Sequence, residues 1–340
     1  MSLPARRRWQ LHGLVIEGRW RATPIGQRWC ATFDPLPQPA AEPDLIFGLS
    51  LADQAPAAPA REPDFRQGDL LAYTIDSPMV VAHFPRYGQL KLDLARGKTS
   101  GVITPAALAT YGVFEDLLAI GLSPHLRRRG YFLLHAFAAA PGPAAAAVLL
   151  AGDIGAGKTT TGLALLHAGW KLLSNDSPIL AATADRLQVL AYPGLLSAYP
   201  DTLGRFPELA HLAPTDGHRG DERREKTIFA AEAIYPDAWL ETAPPGALVF
   251  PQIEARSEHL LEPLPPAEAL RQILPHAIEQ WDRAMIPIHL QLLNQLVQSV
   301  PAYRLHLCPD VTSLPKVLAQ TINREDATPG KDRGQATRRF

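Results

Sequence analysis

"VLLAGDIGAGKTTTGLALLHAGWKLLSNDSPIL", residues 148–180, decides how this chain is read. An apolar run, "AAVLLAG", enters a glycine-rich turn. After it comes "KTTTGLALLHAG", where Leu163, Leu165 and Leu166 supply an apolar helical face and Gly169 suits a C-cap. "WKLLS" then reads as a buried strand. Gly152, Gly157, Lys158 and Thr159 satisfy G-x-x-x-x-G-K-[ST], with an extra glycine at Gly155. Glycines let such a loop wrap with successive backbone N–H groups pointing inward at phosphate oxygens, and the following helix adds its positive dipole end. Gly152, Asp153, Ile154, Gly155, Ala156, Gly157, Lys158, Thr159 and Thr160 are therefore expected to hold a nucleotide. Lys158 would bridge the β- and γ-phosphates of ATP, and the Thr159 hydroxyl would ligate Mg2+.

A second metal ligand normally stands at the end of a neighbouring strand. Asp176 closes "WKLLSND" and is expected to fill that role beside Thr159, although N-D-S-P is also good turn chemistry. Phosphoryl transfer further recruits a cation against charge developing on the γ-phosphate. "HRGDERREKTIF" offers Arg223, Arg224 and Lys226, with Lys226 leading into a strand; alternating charges of this kind also suit a solvated loop.

Composition narrows the remaining classes. The chain has 340 residues, 46% hydrophobic and 20% charged, enough for one large domain or two with substantial cores. A formal net charge of −1 gives no global attraction to nucleic acid or an anionic membrane. Cys30 and Cys308 are the only cysteines, which points to a reducing compartment and excludes both a disulfide framework and paired-Cys zinc sites. The N-terminus has no apolar core of signal-peptide length, and the run at 136–152 is broken by Pro141, Gly142 and Pro143. A cytoplasmic protein is expected.

Along the chain, "WQLHGLVIEG" and "QRWCATF" read as short strands. Residues 34–66, rich in Pro and Ala, read as a surface loop with a little order near 45–51. "LLAYTIDSPMVVAHF" and "QLKLDLARGKTSGVI" read as further strands, and a helix is expected over about 105–125. Later strands are expected in "RLQVLAYPG", "KTIFAAEAI", "GALVF" and "YRLHL", with helices at about 266–275 and 279–299. This divides the chain into a β-rich region at 1–104, an α/β phosphate-loop domain at 105–322, and a polar tail at 323–340 expected to be disordered.

"LLHAFAAA", "VLLAGDIGAGKTTTGLALLHAGWKLLSND" and, more faintly, "GALVFPQIEA", "LPPAEALRQIL" and "AYRLHLCPD" resemble the HPr kinase/phosphorylase-related family. The likeness is closest to its divergent members associated with modified-peptide gene clusters, and it is strong over roughly 128–180. The resemblance implies an α/β core akin to ATP-dependent phosphoenolpyruvate carboxykinase, ATP and Mg2+ as cofactors, a kinase activity on a hydroxyl, a peptide or protein substrate, and self-association. By position it implies that Asp176 matches the second, metal-binding Asp of an Asp-Asp pair, that His135 matches a histidine near the active site, and that Asp153 matches the family's Gly-Asp. A buried histidine in a strand and a turn aspartate are the plainer alternatives for these last two.

Asn175 stands where the family has the carboxylate that takes the proton from the acceptor. An amide takes up no proton near neutral pH, so Asn175 is no base. Three readings remain: a kinase in which positioning by Asn175, Asp176 and Mg2+ suffices, a kinase whose base is another residue such as His135 or Asp201, or a non-catalytic nucleotide-binding subunit of a peptide-modifying assembly. "GKTT" lacks the acidic residue after the loop hydroxyl, and the stretch that in the family carries an Arg-Asn and a Glu reads "PPGALVFPQIEA" here. Both departures argue against HPr as substrate and against the reverse phosphorylase reaction.

Overall fold

A computed structural model describes residues 4–183, 186–213 and 226–322. Within them the chain is a mixed α/β protein with several sheets. The first layer is an eight-stranded sheet in the order β1-β2-β3-β8-β7-β6-β5-β4. Its strands are β1 (Ala5–Leu11), β2 (Leu14–Trp20), β3 (Leu45–Leu51), β4 (Phe65–Gln67), β5 (Leu71–Asp76), β6 (Met79–Phe84), β7 (Gly88–Asp93) and β8 (Lys98–Ile103). Only β2–β3 and β3–β8 pair in parallel. The tightly turned β1–β2 pair and the β5–β6 and β7–β8 pairs match the strands read from alternating apolar residues.

Two expectations fail in this layer. Residues 27–33 belong to α1 (Thr23–Phe33), not to a strand. Ile25, Trp29 and Phe33 recur every four residues and all are buried, so the helical period wins over the apparent alternation. Residues 45–51, expected as slight order in a loop, form a central strand flanked by β2 and β8. "LIFGLSL" buries Leu45, Phe47 and Leu49 on one face, which is the period-two signal of a half-buried strand.

The helix expected over 105–125 splits into α2 (Pro105–Ala109) and α3 (Val113–Arg127), with Gly112 left-handed between them. Phe114, Leu117, Leu118, Leu122 and Leu126 of α3 join the core of the eight-stranded sheet, around stacked Trp9 and Trp29.

The second layer is built from β10 (Ala136–Ala140), β11 (Ala147–Ala151), α4 (Lys158–His167) and β12 (Lys171–Ser174). β18 (Pro245–Ile253), β19 (Leu260–Leu264) and β20 (Ala302–Leu307) complete a six-stranded sheet in the order β12-β10-β11-β18-β20-β19. A smaller antiparallel sheet of β9 (Tyr131–Leu133), β13 (Ile179–Ala182), β14 (Leu187–Leu190) and β17 (Thr242–Ala243) packs beside it, and β15 (Leu196–Ala198) pairs with β16 (Thr227–Phe229). Alternation sorts the two faces of the six-stranded sheet. Phe137, Val148, Leu150 and Val249 meet α4 and α8 (Leu314–Ile322), a helix the sequence reading did not anticipate. Ala138, Leu149, Leu248 and Phe250 meet α6 (Pro266–Ile273) and α7 (Ile286–Ser299), which starts later than the helix expected from 279. α5 is the short helix Pro200–Leu203. The charged segment with Arg223 and Arg224, and the tail from residue 323, lie outside the described residues. No helix among the described residues is long and apolar enough to cross a membrane.

The layers are pinned together at Asp282. Its carboxylate accepts from Arg127 at 2.9 Å and from Arg128 at 2.9 Å, and both Asp282 and Arg127 are buried. Burial alone would raise the Asp282 pKa, but bonds from Arg128 and Arg127 hold it below the ordinary value. Neighbouring Trp281 stacks on Tyr73 of the first sheet at 4.7 Å. Asp282→Asn is expected to leave the Arg127 charge buried with no opposite charge and to cost about 3–5 kcal/mol, read as a lower urea midpoint at an unchanged slope.

Candidate functional site

The site lies where β11 ends. Residues 152–157 connect Ala151 to α4, and Gly152, Gly155 and Gly157 take φ values of 148°, 84° and 103°. Gly157 is doubly constrained. It caps α4 in a left-handed conformation, and a Cβ there would lie 2.5 Å from Leu307 Cδ1. The first N–H groups of α4 then face out of the helix end without intrahelical partners. Lys158 curls back so that Nζ donates to the carbonyls of Gly152 and Asp153, closing the loop on itself. Burial lowers the Lys158 pKa; Asp176 and Asp153 pull it back up, and Lys226 pushes it down further.

Asp176 follows β12, but β12 is not the immediate neighbour of β11, because β10 lies between them. The register of β10 closes the gap: Ala136 pairs with Ala151, and Ala138 pairs with Ser174. Residue 135 and residue 176 are thereby brought to the end of the sheet where the glycine loop emerges. His135 Nδ1 lies 3.1 Å from Asp176 Oδ1, and the Ala136 N–H donates to the Asp176 carbonyl at 3.0 Å. Asp176 also sits in a turn, since the Ser177 N–H donates to Ser174 Oγ at 3.0 Å. The turn reading and the proximity to the loop therefore hold together.

Other expected residues are placed differently. Asn175 spends its amide on the backbone, Nδ2 donating to the Leu195 carbonyl at 3.1 Å. Thr160 Oγ1 lies 3.1 Å from Thr202 Oγ1 of α5. Asp153 and Ile154 project into solvent at the loop tip, with Asp153 Oδ1 3.8 Å from His276 Nε2. Lys226 is held between two aromatic rings, with Nζ 5.5 Å from the Tyr111 ring centre and 5.1 Å from that of Tyr199. Arg223 and Arg224 are outside the described residues.

Three residues that sequence reasoning passed over complete the neighbourhood. Tyr111 Oη shares a 2.5 Å hydrogen bond with Ser197 Oγ. The His276 carbonyl accepts from the His135 N–H at 2.7 Å, and the two rings are 6.1 Å apart. Burial lowers the His276 pKa, with His135 and Lys158 adding to the effect and Asp153 opposing it. These are single residues far from the loop in sequence, with no spacing to mark them. Among the described residues no group of three or more His, Cys, Asp and Glu gathers as a ready-made metal cage.

The chain matches no protein-family model and no curated protein. Among solved structures it is similar to the HPr(Ser) kinase/phosphatase from Coxiella burnetii, at 14% identity and a TM-score of 0.30, over 56% of this chain and 87% of that one.

Gly157→Ala is expected to cost about 1–3 kcal/mol through its strained φ and the contact with Leu307. Combining it with Leu307→Ala should cost less than the sum of the two single changes in urea unfolding, because the contact is removed while the strain remains.

Proposed function

We propose that the protein is an ATP- and Mg2+-dependent kinase of the HPr kinase-related type, transferring the γ-phosphoryl group to a hydroxyl on a peptide, a protein or a small molecule. The observation that carries this reading is the convergence of the glycine loop and Lys158 with the Asp176–His135 pair at one end of the six-stranded sheet. Phosphoryl transfer asks for cations and dipoles around the phosphates more than for covalent help, and this end of the sheet collects both.

The donor set suits Mg2+. That ion keeps several waters and takes one or two carboxylates together with substrate oxygens, so a single exposed Asp176 carboxylate and the Thr159 hydroxyl are a fitting pair of hard oxygen donors. When bound, the metal would neutralise charge on the phosphates. Lys158 would hold the β- and γ-phosphates, its curled side chain swinging outward from the Gly152 and Asp153 carbonyls. Lys226, clamped by Tyr111 and Tyr199, would present a second cation to the transferred group. The modified-peptide likeness makes a gene-encoded precursor peptide the first acceptor to try.

Incubation with γ-labelled ATP, Mg2+ and such peptides tests the reading. Label is expected on a hydroxyl of the acceptor. Lys158→Ala should weaken ATP binding tenfold or more, as loss of a charged hydrogen bond worth about 1.5–3 kcal/mol requires. Asp176→Ala should abolish label transfer at ordinary Mg2+ concentrations. Tight ATP binding lost in Lys158→Ala, without label transfer to any acceptor, would mark a nucleotide-binding subunit instead. Label transfer that survives Asp176→Ala would remove the metal assignment.

A further inference from the structure

We infer that His276, in the turn after α6, is the proton acceptor for the attacking hydroxyl, an assignment that rests on the kinase reading. Three contacts hold this residue at the loop end of the six-stranded sheet. Its carbonyl accepts from the His135 N–H at 2.7 Å, and the two imidazole rings are 6.1 Å apart. Its Nε2 lies 3.8 Å from Asp153 Oδ1 of the phosphate loop itself. The local sequence explains why a turn falls there. Ala269 and Ile273 bury α6 in the core on one face of that sheet. Pro275 has no N–H to continue the helical bonding, and the chain tightens into a 3-10 turn at Leu274–His276.

The neighbouring polar groups at this edge are already engaged. Asn175 is an amide, and its Nδ2 donates to the Leu195 carbonyl. His135 has Nδ1 against the Asp176 carboxylate at 3.1 Å. His276 differs from both. Its side chain is only 12% exposed, yet among the described residues neither ring nitrogen makes a hydrogen bond, 3.8 Å to Asp153 being too long for one. Burial, with His135 and Lys158 adding to it, holds its pKa below the ordinary histidine value, so the ring is neutral at neutral pH. A neutral imidazole keeps a lone pair on one nitrogen, and here that lone pair has no competing donor. A hydroxyl brought to the end of a triphosphate held by the loop arrives beside the His135–Asp176 pair, and His276 faces that same space.

The step balances. The acceptor oxygen bonds to the γ-phosphorus as the bond from that phosphorus to the β–γ bridging oxygen breaks, and the electron pair leaves on ADP. The hydroxyl proton passes to the free ring nitrogen of His276, giving an imidazolium, and from there to water. The Asp153 carboxylate, 3.8 Å from Nε2, offsets the charge while it lasts.

The test uses the full chain with γ-labelled ATP and Mg2+, following transfer to water and to a mixture of seryl and threonyl peptides. His276→Ala is expected to lower kcat about 100-fold, the usual worth of a general base, with the ATP Kd unchanged within about twofold. Added imidazole should restore about tenfold of that loss, a recovery that a merely structural histidine would not show. Equal thermal midpoints for parent and variant separate lost chemistry from lost folding, and His276→Asn, closer in size, replaces the alanine variant if that one is unstable. If the parent transfers label and the variants transfer it at a rate within about threefold, the base assignment is overturned while the kinase reading stands. A large loss in His276→Ala that imidazole leaves untouched overturns it as well. A parent that binds ATP and transfers to neither water nor peptide overturns the kinase reading, and the assignment falls with it.

Discussion

The hydrogen-bonded register of β10 is the constraint on which the site depends. β10 runs antiparallel to both β11 and β12, so its beginning lies beside the ends of both neighbours. Gly152 at the end of β11, His135 before β10 and Asp176 beyond β12 share one edge for that reason. A shift of one residue would send Phe137 to the opposite face and expose the alanine side of "AFAAA" to the helix α4. Phe137 is also what Gly162 of α4 packs on: a Cβ at that position would strike the ring. Small side chains on the strand and a glycine in the helix thus let α4 sit close to the sheet, with its N-terminus at the loop.

The eight-stranded sheet contributes to the same site at one remove. Its core holds α3 through Phe114, Leu117 and Leu118, and Tyr111, in the turn before α3, reaches Ser197 and Lys226. The Arg127–Asp282 pair at the far end of α3 and the Trp281–Tyr73 stack keep that helix in register with the second layer. Charge is balanced around the loop by this arrangement. Asp176 and Asp153 act on Lys158, and both cations are held by groups that carry no charge: backbone carbonyls for Lys158, aromatic faces for Lys226.

Much of the second layer was legible in the primary structure because its signals are local. "AAVLLAG" and "WKLLS" are short apolar runs ended by turn residues, and Gly169 does take the left-handed conformation after α4, with φ 87°. The first layer was read less well. "QRWCATF" is too short to separate alternation from helical period, and only the burial of Ile25 upstream shows that Trp29 and Phe33 continue a helical stripe. The strand at 45–51 was obscured by the Pro/Ala residues on either side of it, and it pairs with partners more than 25 residues away on one side and about 50 on the other.

By itself the sequence determined the glycine loop, the strand before it, the helix after it and the absence of a base at Asn175, since each follows from the chemistry of residues adjacent in the chain. It also determined that Asp176 would end a strand. Only the tertiary structure decided that β10 separates that strand from β11, that His135 meets Asp176, and that Lys226 lies between Tyr111 and Tyr199. Those contacts join residues tens of positions apart, and which ones meet is set by strand register and helix packing, to which the whole core contributes at once.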